Sequence, residues 1–157
     1  MDTITKGKLG YNLLEKELLK REWEIYTPIT ENTKRDCIVI KNDVLWKLQI
    51  KTIQYDKRDK RKFLPVRKIE HNYKGHTTHF YTSDEIDFFV GVDIDTEDIY
   101  LVPINFSSKY TSSIGVNTLT KNGYKNNFNL LEPYNGNIIS GEDDIGESLT
   151  ANTEGTE

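Results

Sequence analysis

The stretch that decides the fold is Asp36 to Lys51, DCIVIKNDVLWKLQIK. After Asp36, residues 37–41 are mainly apolar and β-branched, as a buried strand requires. Asn42-Asp43 is turn chemistry, because both side chains tolerate the positive φ of a tight hairpin. From residue 44 the chain alternates. Val44, Trp46, Leu48, Ile50 and Thr52 point one way, and Leu45, Lys47, Gln49, Lys51 and Ile53 the other. The first set is a core face. The second carries three polar side chains and faces something other than core. A hairpin over these residues lays Asp36, at the start of the first strand, alongside the end of the second. One carboxylate, one amide and one ammonium then meet at one end of a two-stranded platform.

Working outward, the preceding segment 6–22 has helical periodicity, with Leu9, Leu13, Leu14, Leu18 and Leu19 on its apolar side and Thr5 as the expected cap. WEIYTP, 23–28, reads as a short strand. Downstream, residues 88–94 and 99–104 are apolar runs of strand length joined by the acidic turn Asp95-Thr96-Glu97-Asp98. Ser83 to Asp87 reads as a capped helical turn, and residues 112–119 and 124–131 suggest one further strand and one turn of helix. The expected fold class is α/β: a central mixed β-sheet from strands near 23–28, 36–41, 44–53, 88–94 and 99–104, flanked by helices.

The formal net charge of −4 conceals an uneven distribution. Residues 132–157 hold seven acids and no Lys or Arg, which leaves 18 acids against 21 bases, about +3, on the body. The bases concentrate in one run: Lys57, Arg58, Lys60, Arg61, Lys62, Arg67, Lys68 and Lys74, against Asp59 and Glu70 alone. This run, within residues 54–80, reads as an extended basic β-ribbon suited to a nucleic-acid backbone. A solvated face is the plainer meaning of most charge runs. Beside the Asp36 platform, the run suits the DNA backbone. His71, His76 and His79 lie in the same region without metal-site spacing and read as loop or DNA-contacting residues. The single cysteine, Cys37, excludes an internal disulfide and fits a reducing cytoplasm. No apolar run approaches a membrane span and no signal-peptide pattern appears. Residues 1–135 therefore read as one domain and 136–157 as an acidic, disordered tail. The expected location is the cytoplasm, with the nucleoid.

The D…QxK constellation resembles the PD-(D/E)XK nuclease superfamily, where an Asp, a hairpin and (D/E)-x-K hold a divalent metal over a phosphate. The variant Gln49-Ile50-Lys51, together with Tyr81-Thr82-Ser83-Asp84-Glu85-Ile86-Asp87-Phe88-Phe89, is similar to the group I intron-encoded homing endonuclease branch. The resemblance covers roughly residues 6–131. It implies a restriction-endonuclease-like core and metal-dependent, sequence-specific hydrolysis of double-stranded DNA. It also implies Mg²⁺ or Mn²⁺ held by Asp36, the Gln49 side-chain oxygen and a carbonyl near Ile50, with Lys51 stabilising developing charge. Related nucleases follow Gly-x-x-Gly in the first helix with a metal-site Glu. Here Gly7-Lys8-Leu9-Gly10 is followed by Tyr11. Glu15, one turn on and nearly on the same face, is a candidate replacement, although a surface carboxylate is its plainer reading.

Two other readings share this platform: a Holliday-junction-resolvase-type nuclease, and a DNA-binding homologue that has lost catalysis. Because one such site breaks one strand, a homo-oligomer, dimer or tetramer, is expected. Apolar positions in 105–131 beyond what five strands and one helix need offer an interface for it, or else ordinary core.

Overall fold

A computed structural model describes residues 1–132. The tail expected over 136–157 lies outside the described residues. Helix α1 spans Thr3–Lys20. Its cap is Asp2 rather than Thr5. The Asp2 carboxylate accepts from the Thr5 amide at 3.0 Å and from the Thr5 hydroxyl at 2.9 Å, so the helix begins one turn earlier than its apolar stripe suggests. Five strands then form the central sheet: β1 (Glu24–Tyr26), β2 (Cys37–Lys41), β3 (Val44–Thr52), β8 (Phe88–Val92) and β9 (Ile99–Pro103), in the order β1-β2-β3-β8-β9. Asn42 and Asp43 sit at φ 50° and 66° and close the β2–β3 hairpin as their side chains predict. β3 and β8 are parallel and all other pairs antiparallel, so the sheet is mixed.

Period-two alternation sends the side chains of β8 and β9 into two buried layers. Leu48, Phe88, Val90, Val92, Ile99 and Leu101 join Leu14, Leu18 and Trp23 in a core under α1. Phe89, Tyr100 and Val102, on the opposite face, pack against Leu64, Ile114 and Leu119 in a second core. This is why β8 and β9 read as continuous apolar runs rather than alternating ones. The second layer is a three-stranded sheet of β4 (Gln54–Asp56), β5 (Arg61–Pro65) and β10 (Ser113–Gly115), with short helices α2 (Ile104–Ser107) and α3 (Val116–Lys121).

Two expectations change, and one open choice closes. The strand expected over 112–119 stops at Gly115 and becomes α3. The single basic ribbon divides in two. β4–β5 is built into the second layer, whereas β6 (Arg67–Asn72) and β7 (Gly75–Phe80) form a separate two-stranded ribbon. The apolar surplus of 105–131 is core: Ile114, Phe128 and Leu131 are buried, and Phe106, Tyr110 and Tyr124 pack against the second cluster. Trp46 Nε1 donates to the Leu131 carbonyl at 2.8 Å, and Lys41 Nζ reaches Glu132 at 2.9 Å, which fastens the end of the described chain to the hairpin.

Candidate active site

The site forms where β2 stops short of the end of β3. Cys37 is paired with Leu48, and the Asp36 amide donates to the Leu48 carbonyl at 2.8 Å. Beyond that bond β3 has no strand partner on this side among the described residues. The Ile50 N–H, pointing to the vacated edge, is taken by Asp36 Oδ2 at 2.7 Å, and Gln49 Nε2 donates to the same oxygen at 2.9 Å. N–H and C=O of one strand residue point to the same side, so the Ile50 carbonyl also faces this edge. Arg35 Nε donates to the Glu85 carbonyl at 2.7 Å and fixes the chain just before Asp36.

Burial dominates the electrostatics. Gln49 is 8% exposed and Asp36 is half-buried. Burial pushes the Asp36 carboxyl above its ordinary pKa, against the opposing Ile50 amide and the positive charges of Lys51 and Lys68. Burial likewise pushes Lys51 down, with Asp36 opposing and Lys68 reinforcing the shift. Each charge is thus held where water compensates it poorly. Lys51 Nζ lies 5.8 Å from the centroid of the buried Tyr81 ring. The Tyr81 phenol is pushed up to about 12, first by burial and then by nearby carboxylates including Asp36.

On the α1 side, a cleft of about 400 Å³ is lined by Ile4, Gly7, Lys8, Tyr11, Asp36, Ile50 and Thr52. Tyr11, and not Glu15, contributes to that lining. Its phenol is pushed up to about 12 by burial first and then by Cys37, Glu15 and Asp36, so it stays neutral at ordinary pH. Gly10 lets α1 approach this closely: a Cβ there would meet Thr52 Cγ2 at 3.2 Å. The neighbouring Cys37 thiol, buried and pushed up to about 12, is an inert core group.

The donor set fits a hard divalent cation. Asp36 keeps one oxygen clear of the Ile50 and Gln49 bonds, the Gln49 amide has an oxygen, and the Ile50 carbonyl faces the same edge. Among the described residues no three His, Cys, Asp or Glu side chains converge, and Asp36 is the one carboxylate lining the cleft, so it is the charged ligand the cleft would offer a cation. Asp36, Gln49, Ile50 and Lys51 come together as the spacing predicts. Of the basic run, Lys68 alone is close enough for its charge to bear on both Asp36 and Lys51. Lys57, Arg58, Lys60, Arg61 and Lys62 belong to the β4–β5 hairpin, and Arg67 and Lys74 to the separate ribbon. Lys62 Nζ lies 2.6 Å from the buried Asp93 carboxylate. Asp87 is a backbone brace: its carboxylate accepts from the Lys47 amide at 2.8 Å. Sequence reasoning missed Tyr81 as a neighbour of Lys51.

No protein of curated function matches the chain in sequence. A solved structure of similar fold is "The structure of a bacterial homing endonuclease: I-Ssp6803I", which is 21% identical, with a TM-score of 0.69. The match covers 74% of this chain and 78% of that one, and at this identity the likeness is one of fold. The fold is accordingly the restriction-endonuclease-like α/β arrangement that the D…QxK pattern implied. The family model for PD-(D/E)XK endonucleases matches residues 1–136, and with the Asp36 edge built as described the chain belongs to the PD-(D/E)XK endonuclease family.

Proposed function

We propose that the protein is a metal-dependent, sequence-specific endonuclease of the homing type that hydrolyses double-stranded DNA as a homo-oligomer. The observation that carries this reading is the joint hold of Gln49 and the Ile50 amide on one oxygen of a half-buried Asp36, at the open edge of β3. Mg²⁺ or Mn²⁺ at Asp36, Gln49 and the Ile50 carbonyl would supply Lewis-acid polarisation of the scissile phosphate. The chain's own residues do the rest. Asp36 and Gln49 would hold that cation at the edge of β3, where the phosphate lies. Lys51, poorly hydrated and lying near Tyr81, donates to the phosphoryl oxygen on which negative charge grows as water attacks phosphorus and the P–O ester bond breaks. The β6–β7 ribbon and the β4–β5 hairpin supply backbone contacts through Arg58, Lys60, Arg61, Arg67 and Lys74.

Neutral Tyr11 in the cleft favours one second reading, a DNA-binding homologue with lost catalysis. A selection from randomised duplexes, followed by cleavage in Mg²⁺ or Mn²⁺, separates the two. Wild type should cut a selected duplex, and Lys51→Ala should bind it but cut at least about 100-fold more slowly. Tyr11→Glu should lower the Mg²⁺ concentration needed for half-maximal cleavage, because it adds a second carboxylate to the cleft. Cleavage by Lys51→Ala at the wild-type rate would remove the site assignment. Binding without cleavage by wild type, with cleavage appearing in Tyr11→Glu, would establish the second reading.

A further inference from the structure

Lys68 stands apart from the other seven bases of the run. Alternate residues of a strand share a face. The ribbon face that carries Lys68 also carries Glu70 and, through the Lys68–His79 pairing, His79. Two residues on, Tyr81 meets the His79 ring edge-on with centroids 5.0 Å apart. Tyr81 in turn lies 5.8 Å from Lys51 Nζ. A line of contacts therefore runs from Lys68 through His79 and Tyr81 to Lys51, while Arg67 and Ile69 occupy the opposite face. Glu85 anchors the line: its carboxylate lies 3.3 Å from His79 Nε2, and its carbonyl accepts from Arg35, next to Asp36. Lys68 Nζ itself sits 2.8 Å from Glu70 Oε2, in a pair whose side chains are 41% and 56% exposed. An exposed pair of this kind contributes little and is readily exchanged for a phosphate.

We propose that Lys68 is a further catalytic residue, whose ammonium leaves Glu70 when DNA binds and hydrogen-bonds the phosphodiester cleaved at Asp36, Gln49 and Lys51. This inference rests on the nuclease reading above. The chemistry explains the need. With neutral Tyr11 in the cleft, Asp36 is the one lining carboxylate that would hold the cation, and a second ammonium offsets more of the charge that grows on the phosphoryl oxygens.

The test uses the full chain on a duplex that wild type cleaves. Single-turnover rates at saturating protein in Mg²⁺ are compared with Kd in Ca²⁺ for wild type, Lys51→Ala, Lys68→Ala and Lys68→Arg. Lys68→Ala should cut about 100-fold more slowly at saturation, the effect of losing one donor to a developing oxyanion, while Kd rises less than about threefold. Lys68→Arg should recover to within about tenfold of wild type, since it restores the charge but not the compact ammonium geometry. A Lys68→Ala protein that cuts at the wild-type rate once saturated overturns the proposal and makes Lys68 an ordinary phosphate contact. Equal loss in Lys68→Ala and Lys68→Arg overturns it as well. Lys51→Ala keeps the two failures apart: if it cuts normally, the D…QxK reading falls; if it is inactive while Lys68→Ala is fast, only the Lys68 inference falls. Wild type that binds but does not cut in Mg²⁺ or Mn²⁺ overturns both.

Discussion

The two basic hairpins are neighbours in sequence and alike in composition, yet they have opposite relations to the core. β4–β5 pairs on its far side with β10, buries Leu64 completely, and locks Lys62 onto Asp93. Among the described residues β6–β7 pairs only with itself, and most of its side chains from Ile69 to Thr77 are exposed. Charge density therefore did not separate built-in structure from exposed surface. What separated them was one buried apolar residue and one buried acid. A run of lysines and arginines is a surface in general, but each base has to be asked for its partner.

The largest contrast should be in stability. Leu64→Ala should lower the unfolding free energy by about 2–4 kcal/mol, because the emptied site lies between two layers that cannot collapse freely. Ile69→Ala, on the exposed ribbon, should change it by less than about 0.5 kcal/mol. Urea unfolding of both variants measures this, and equal losses would mean that the ribbon is as integrated as the hairpin.

The Lys62–Asp93 pair should come next, and should depend on pH. Burial by itself would raise the Asp93 carboxyl, but Lys62 and the amides of Asp95 and Thr96 outweigh it and hold it below its ordinary value. A depressed folded pKa means that the unfolded chain binds the proton more tightly. The stabilisation is then complete above the unfolded value near 4 and is lost as pH falls through the lower folded value. Asp93→Asn should lose about 1–2 kcal/mol at pH 7, less than a fully buried pair because Lys62 is partly solvated. The gap between wild type and variant should narrow when urea unfolding is repeated near pH 3. A gap that widens there would contradict the assignment.

A smaller effect should appear in DNA binding. Arg67→Ala and Lys74→Ala should each reduce the magnitude of the slope of log Kobs against log salt by about 0.9, without moving the thermal midpoint. Lys62→Ala should change the slope by less, since its charge is already committed to Asp93. The slope from binding isotherms at several salt concentrations decides between them. The smallest effect belongs to Gly75, which turns the ribbon tip at φ +131° with open space around it. Gly75→Ala should strain only the tip, raising amide exchange there and leaving the global midpoint unchanged.

Much of the site was legible because it is local. Asp36, Gln49, Ile50 and Lys51 belong to one hairpin, and hairpin register follows from the Asn42-Asp43 turn and alternation. Asp87 to Pro103 was legible for a similar reason, as two apolar runs around an acidic turn. The division of residues 54–80 was not. The pairing of β5 with β10 joins Leu64 to Ile114 across fifty residues, and no local period announces it. The start of α1 was misplaced because a cap competes with apolar periodicity, and Asp2 lies a turn outside the stripe. Tyr81 and Lys68 escaped for a third reason. They reach the site through tertiary contacts, Lys68 from β6 and Tyr81 from the residue after β7, and nothing local in the sequence says which way either turns.

The parallel pairing of β3 with β8 has a consequence for how such a chain tolerates change. Everything from Ile53 to Asp87 is a single excursion between two adjacent strands whose positions are fixed by the two cores. The entropy of closing an excursion grows only logarithmically, so doubling its length costs roughly 0.6 kcal/mol. Insertions or deletions in the β6–β7 arm should therefore be nearly neutral for folding, while the register that brings Asp36 to Ile50 remains untouched. A lineage could lengthen, shorten or re-decorate that arm at little thermodynamic penalty, and so explore new surfaces while the Asp36 edge stays as it is.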